Sequence, residues 1–158
     1  MAIIKPNNNT ISAITALPAA ISTGKVLQVV TATDGTERNS TSTSFVTASN
    51  ALTLNITPSS SSNKVYIIVS TSAYSQVVYK SVYVTLYRDS TNLGNSNGLV
   101  RQLSLDSRAG SSAAFAILDS PSTTSQITYQ VYAKTDSGGT FYLNANTPGS
   151  ITAFEIEG

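Results

Sequence analysis

Ala51-Leu52-Thr53-Leu54-Asn55-Ile56-Thr57, Pro58-Ser59-Ser60-Ser61-Ser62-Asn63, then Lys64-Val65-Tyr66-Ile67-Ile68-Val69: this stretch decides the fold. The first block alternates strictly, with Leu52, Leu54 and Ile56 on one side. A period of two is the signature of a half-buried strand. Pro58 and the serine run stop it, because proline cannot donate to a ladder and serine favours turns. The third block is almost continuously apolar, as a central strand of a sandwich would be.

The same rhythm continues on both sides. Upstream, Lys25 to Val30 is rich in β-formers and leads toward a turn at Asp34-Gly35, and Ser44-Phe45-Val46 reads as a short strand. Downstream, Tyr79 to Tyr87 alternates over nine residues. Tyr79, Ser81, Tyr83, Thr85 and Tyr87 fall on one side; Lys80, Val82, Val84 and Leu86 fall on the other. Strands are expected at Leu99–Leu105, Ala113–Leu118, Gln126–Ala133, Phe141–Leu143 and Ser150–Glu157. Asp136-Ser137-Gly138-Gly139 reads as a hairpin turn, with Phe141-Tyr142-Leu143 as its return strand. No segment supports a ten-residue helix. Nine or ten short strands joined by Gly/Pro/Asn/Ser turns predict an all-β fold, an antiparallel jelly-roll-type β-sandwich over residues 24–158. No repeat recurs at a fixed period of 20–50 residues, which argues against a propeller or solenoid.

Residues 1–23 read differently. Ile3, Ile4, Ile11, Ile14, Leu17 and Ile21 are spaced by small polar residues, and Pro18 opposes a helix. The segment is expected to be an extended N-terminal arm with apolar anchors, suited to lying on a neighbouring surface. MAIIKPNNNT does not read as a signal peptide, since its apolar stretch is broken at once by Asn7, Asn8 and Asn9. No apolar run of about 18 residues exists to make a membrane-spanning helix.

Composition narrows the chemistry. In 158 residues there is no Cys, His or Trp, while 25 Ser and 21 Thr fill 46 positions. Missing cysteine removes thiolate nucleophiles, thiolate metal sites and disulfides. Missing histidine removes imidazole acid/base chemistry and His-ligated zinc. Nine basic residues against eight acidic ones give no broad electrostatic pull toward nucleic acid or an anionic membrane. With an apolar content of 41% in alternating blocks, the chain is not expected to be disordered.

The remaining candidate chemistry lies in carboxylates and tyrosines. Asp34, Glu37, Asp89, Asp106, Asp119, Asp136, Glu155 and Glu157 are the acids. Six sit in or beside expected turns, where Asp accepts backbone hydrogen bonds, so turn capping and surface solvation are the expected roles. Paired carboxylates for glycoside hydrolysis would have to converge in space, which spacing alone does not show. Asp34-Gly35-Thr36-Glu37 lacks the dense ligand spacing of a calcium loop. Asn92 to Gly98, NLGNSNG, is glycine-rich but is no phosphate loop, and reads as an exposed loop. No catalytic residue, metal ligand or cofactor is assigned. The N-x-[ST] triplets at Asn8, Asn39 and Asn55 are what chance gives in so Ser/Thr-rich a chain. Eight tyrosines outnumber four phenylalanines. Tyr79, Tyr83 and Tyr87, with Arg88 and Arg101 close by, could pack across strands, form a subunit interface or hold a ligand. Arg88, Arg101 and Arg108 are interleaved with Asp89 and Asp106, so salt bridging is the simplest expectation, and pairing with a neighbouring subunit the sharper one.

Gly24-Lys25-Val26-Leu27-Gln28-Val29-Val30, Ser42 to Val46, LTLNITPSSSSNKVYIIVS over Leu52–Ser70, and Leu86-Tyr87-Arg88-Asp89-Ser90 together resemble the small jelly-roll virion proteins of tailed bacteriophages, common in phages of cyanobacteria. In that family a GKVLQV-type strand opens the domain, TPSS leads through a serine-rich turn into a K-[VI]-x-[IV]-x-V strand, and an RDS-type turn follows. The resemblance spans residues 24 to 91 and carries over no catalytic residue. It implies a homotrimeric capsid decoration (cement) protein on the outer surface of the virion, with the major capsid protein as partner, or else the receptor-binding tip of a tail fibre that recognises a host glycan. The short stretch before residue 24 has no heptads or collagen-like repeat for a stalk, which favours decoration, with the arm crossing between capsid subunits. Neither nucleic acid nor membrane is an expected partner.

Overall fold

The computed structural model describes residues 24–106 and 111–158, and all of its regular elements are strands. These are β1 (Val26–Asp34), β2 (Arg38–Ser40), β3 (Thr53–Ile56), β4 (Lys64–Ser75), β5 (Ser81–Arg88), β6 (Thr91–Asn92), β7 (Val100–Leu103), β8 (Ser111–Asp119), β9 (Ile127–Thr135), β10 (Phe141–Leu143) and β11 (Gly149–Ile156). The expected arm, with Ile3, Ile4, Ile11, Ile14, Leu17 and Ile21, lies outside the described residues, as does Arg108.

The pairing resolves into eight lines. β1 and β2 run on as one line, because Asp34 pairs with Gly149 and Arg38 with Leu143 along the same neighbour. β11 and β10 share one edge of β4 in the same way. β6 and β7 both lie along β5. Numbered along the chain, the first sheet then orders its lines 1-8-3-6 and the second 2-7-4-5, every pair antiparallel. That order is the double Greek key of a jelly roll.

The alternation fixes which side of each sheet is buried. Leu52, Leu54 and Ile56 face inward as their spacing predicts, opposite Val65, Ile67 and Val69 of β4. Val82, Val84 and Leu86 of β5 and Tyr129, Val131 and Ala133 of β9 complete the core with Ile151 and Ala153 of β11. β4 reads as continuously apolar for a specific reason. Its inward residues are core, whereas Tyr66 and Ile68 point out of the sandwich and remain exposed.

Several boundaries depart from expectation. Ser44-Phe45-Val46 forms no strand; it lies along the edge of β9, in line with β3, and makes a single bridge, Val46 to Ala133. The Asp136–Gly139 turn exists, closed by Gly139 N–H donating to the Asp136 carbonyl at 2.9 Å. It does not return β10 beside β9. β10 pairs with β4 and β2, so the turn carries the chain from one sheet to the other. A sandwich needs such crossings, and a short turn residue pattern cannot distinguish them from hairpins. The tight hairpin is instead at Asp89-Ser90, where Arg88 pairs with Thr91 and Asp89 adopts φ 51°.

Gly98 illustrates how closely the loop 92–98 is laid on β5. It sits at φ +75°, and an added Cβ would lie 2.6 Å from the Val84 carbonyl oxygen. Gly35, by contrast, has open space around it. We expect Gly98→Ala to lower stability by about 2 kcal/mol or more, through backbone strain and the clash. Gly35→Ala should stay within about 1 kcal/mol of the parent. Urea denaturation of both variants checks the contrast, and equal stabilities would contradict the close approach.

Candidate interaction surfaces

The expected tyrosine row runs along the outer side of β5, but it is shorter than the alternation suggests. Tyr83 and Tyr87 lie in it, with Arg101 of β7 and Lys134 of β9 opposite Tyr83. Tyr79 precedes the strand, in a turn at φ 60°, and its side chain is 74% exposed. Arg88 is out of phase with the row. Its Nη1 donates to both Asp119 oxygens at 2.9 Å, tying β5 of one sheet to β8 of the other. Of the expected group, only Tyr83, Tyr87 and Arg101 come together.

That outer face is roofed by the chain itself. Tyr87 stacks on Tyr132 with centroids 4.1 Å apart, and Phe45 meets Tyr87 edge-on. Lys134 Nζ lies 4.8 Å from the Phe45 ring centre and 5.2 Å from that of Tyr83, within cation–π range. The same ammonium donates to the Ser96 carbonyl at 2.7 Å, and Thr85 Oγ1 meets Asn92 Oδ1 at 2.6 Å. The 92–98 loop is therefore a cover over the second sheet, not a free loop. Tyr83 donates its hydroxyl to Asp136 at 3.0 Å, and Arg101 Nε donates to Ser81 Oγ. The rings and charges of this face are satisfied internally.

The carboxylates are structural acceptors too. Asp34 caps its own turn, accepting from Thr36 N–H and Ala51 N–H, with Arg38 beside it. Asp136 accepts from Ser81 N–H and Tyr83. In both, burial would raise the pKa, yet these hydrogen bonds and the neighbouring arginine hold it below the usual carboxylate value. Asp119 takes the Arg88 pair and the buried Tyr129 hydroxyl at 2.6 Å. Burial and that carboxylate push the Tyr129 phenol well up.

Glu155 corrects the expectation of surface solvation. It is 1% exposed, in phase with buried Ile151 and Ala153. One carboxylate oxygen accepts from Ser59 N–H (2.6 Å), Ser59 Oγ (2.8 Å) and Asn63 Nδ2 (2.6 Å); the other accepts from Gln28 Nε2 at 2.6 Å. Burial opposes ionisation, but these four donors win and lower the pKa to about 2. The signal was present in sequence, since Glu155 shares the parity of Ile151 and Ala153.

Among the described residues, two groups of exposed apolar side chains follow no pattern visible in the sequence. One is an end of the sandwich, where Val77, Val78 and Tyr79 sit beside Leu103 and Leu105. Tyr79 N–H donates to the Ser104 carbonyl at 2.7 Å, and Ser104 N–H donates to Lys80. The other is the outer side of the first sheet, where Val29, Phe154, Tyr66 and Leu118 form one row across four strands. Thr31, Thr152, Ile68 and Ala116 form the next, and Thr33, Ser150, Ser70 and Ala114 the third. Beyond these rows a polar cleft of about 660 Å³ opens against Glu37, Tyr74, Ser112 and Asn146. Among the described residues, no three acidic side chains gather as a metal site would require.

No family model matches the sequence. No curated protein matches it. Solved structures similar to it include the infectious bursal disease virus VP2 subviral particle, with a TM-score of 0.46 and 13% identity over 82% of this chain. The Gt strain of the same virus gives 0.45 and 10% over 83%. The chain spans about two fifths of the length of those proteins, 39% and 40%.

Glu155 supplies an acid-sensitive element. Its ordinary pKa of 4.5 applies when the chain is unfolded, and about 2 when folded. The stabilisation is therefore full above about pH 4.5 and is lost as pH falls toward 2. By linkage it amounts to roughly 3 kcal/mol. Denaturation midpoints between pH 6 and 2 should fall in the parent and fall less in Glu155→Gln. Glu155→Ala should cost about 3 kcal/mol at pH 7, because buried donors lose their acceptor. An unchanged pH profile in Glu155→Gln would show that other carboxylates carry the acid response.

Proposed function

We propose that the chain is a viral structural protein, a homotrimeric capsid decoration protein that stabilises a phage head by bridging major capsid subunits on the outer surface. The observation that carries this reading is the GKVLQV…TPSSSSNK…RDS pattern together with where it falls in the jelly roll. Gln28 of the first motif and Ser59 and Asn63 of the second converge on Glu155. Asp89 of the third makes the tight hairpin and accepts from Thr128 N–H at 3.0 Å. The motifs that resemble those of the phage virion proteins are thus ones that this fold uses for its own closure. Residues 1–23 act as arms across subunit boundaries in this reading. Three modest contacts joined in one trimer raise the effective concentration of each.

Deleting residues 1–22 and measuring occupancy on emptied capsids tests the arm. Loss of binding by about tenfold or more is expected, while unchanged occupancy would remove the arm as anchor. Purified protein should give no hits on a glycan array and should not block adsorption of phage to host cells. Saturable binding to a host glycan would support instead the receptor-binding tip of a tail fibre.

A further inference from the structure

We propose that Thr10–Leu17 of the same chain add to the free edge of β8 as a fifth line of the first sheet, parallel to β8. This goes beyond the decoration role and does not rest on it. β8 is an outermost strand of its sheet and pairs with β4 in unbroken register from Ser111 to Asp119. Ser112 turns its carbonyl away from β4, where it accepts from Gln102 Nε2 at 2.7 Å. In an antiparallel ladder the N–H and C=O of one residue point to the same side and alternate along the strand. Ala114, Ala116 and Leu118 therefore present theirs to the open side. Natural sheets blunt such an edge with proline, a bulge or charge, and β8 has none of these before Asp119.

The opposite edge is guarded. β1 has a register shift between Val26 and Gln28. The residues flanking β3 close it at both ends: Gln28 Nε2 donates to the Thr57 carbonyl, and Ala51 N–H donates to Asp34. A segment leaving Gly24 is thus turned away from its own strand and toward β8.

Reach and sequence select the occupant. Val26 pairs with Ile156, Ile156 with Lys64 and Val65 with Asp119, so the chain before Gly24 departs at the Asp119 end of β8. A line beyond β8 lies four strand spacings from β1, about 19 Å. Residues 18–23, extended, span about 20 Å. Pro18 falls on this crossing, where its missing N–H costs no ladder bond. Thr10–Leu17 then offers eight residues without proline, glycine or charge, four of them β-branched, to a nine-residue edge. Entering at the Asp119 end with Leu17 first, the segment runs in the same direction as β8.

The polar cleft receives what comes next. Ser111 and Ser112 belong to both the edge and the cleft, so Asn7, Asn8 and Asn9 reach a wall of hydroxyls and amides. Glu37 is the one charged residue lining that cleft, and Lys5 is the one charged side chain in residues 1–23. An uncharged strand on an uncharged edge, with a single opposite pair at one end, has its direction set by that pair. Docked in this way, the segment keeps the edge from pairing with other chains.

Amide hydrogen exchange, followed by NMR on the full chain, tests this. The N–H groups of Ala114, Ala116 and Leu118 should exchange at least about tenfold slower than in Ile14→Pro/Thr15→Pro, where a donor to β8 is lost whichever of the two residues faces it. Phe115 and Ile117, which bond to β4, should exchange alike in both and so report an intact fold. Glu37→Lys should speed the outward amides about two- to fivefold, and Lys5→Glu/Glu37→Lys should restore them. Equal outward rates in the full chain and the proline variant overturn the proposal, and a Glu37→Lys without effect overturns the parallel placement. Labelled chains lacking residues 1–22, mixed with unlabelled full chains, should remain unprotected; protection there would mean that the segment comes from a neighbouring copy and overturns docking within one chain. Capsid occupancy bears on decoration alone: slow outward exchange in a protein that binds no capsid would remove that role and support the docking.

Discussion

A single buried carboxylate closes this jelly roll. Glu155 lies on the last strand, and its donors come from β1 and from the turn between β3 and β4. These segments are separated by about a hundred residues of chain. Chain closure over such distances costs conformational entropy, and the contact that closes it must recover that cost. Four hydrogen bonds to one charge do so in a small volume, and each is stronger for being charge-assisted. Burial without those donors would make the same residue a liability. Asn63 adds a further link, accepting from Gly158 N–H, so the chain end is fastened to the same knot.

The opposite pairing of charge and burial appears at Arg88. It bridges the sheets through Asp119, which also holds Tyr129 in the core. Both knots lie at the end of the sandwich where the TPSS turn and the Asp89 hairpin sit. The other end is held by Asp136, which accepts from Ser81 N–H and the Tyr83 hydroxyl, and by backbone hydrogen bonds between loops, as between Tyr79 and Ser104, and it displays apolar side chains.

Much of the architecture could be read from residue order. Period-two alternation marks β3, β5, β9 and β11, and in β3 it sets Leu52, Leu54 and Ile56 together on the side that is buried, because burial on one face is a local property of a strand. Partners were less legible. The Asp136–Gly139 turn looks like a hairpin, yet Phe141 to Leu143 joins the other sheet, since turn chemistry fixes the bend but not the sheet that receives it. Parity places Tyr79 in the row of Tyr83 and Tyr87, although it sits at φ 60° before the strand begins. Acids are expected to solvate surfaces, yet Glu155 shares the phase of Ala153 and is buried with it. The roof over Tyr83 and Tyr87 depends on Phe45 and Ser96, distant in sequence, and no spacing rule links them.

The placement of the two ends of the described domain has a mechanical consequence. Lys25 accepts from Glu157 N–H, so Gly24 and Gly158 leave side by side, at the far end of β4 from Tyr79. Their strands, β1 and β11, are neighbours held by eight register pairs. A pull that separates Gly24 from Gly158 opens those pairs one after another, like a zip. A pull on Gly24 against the Tyr79 end runs along the strands and loads every pair in shear at once. The domain is thus weak to peeling and strong to axial tension, and the direction of an applied force, rather than its size alone, decides whether it holds.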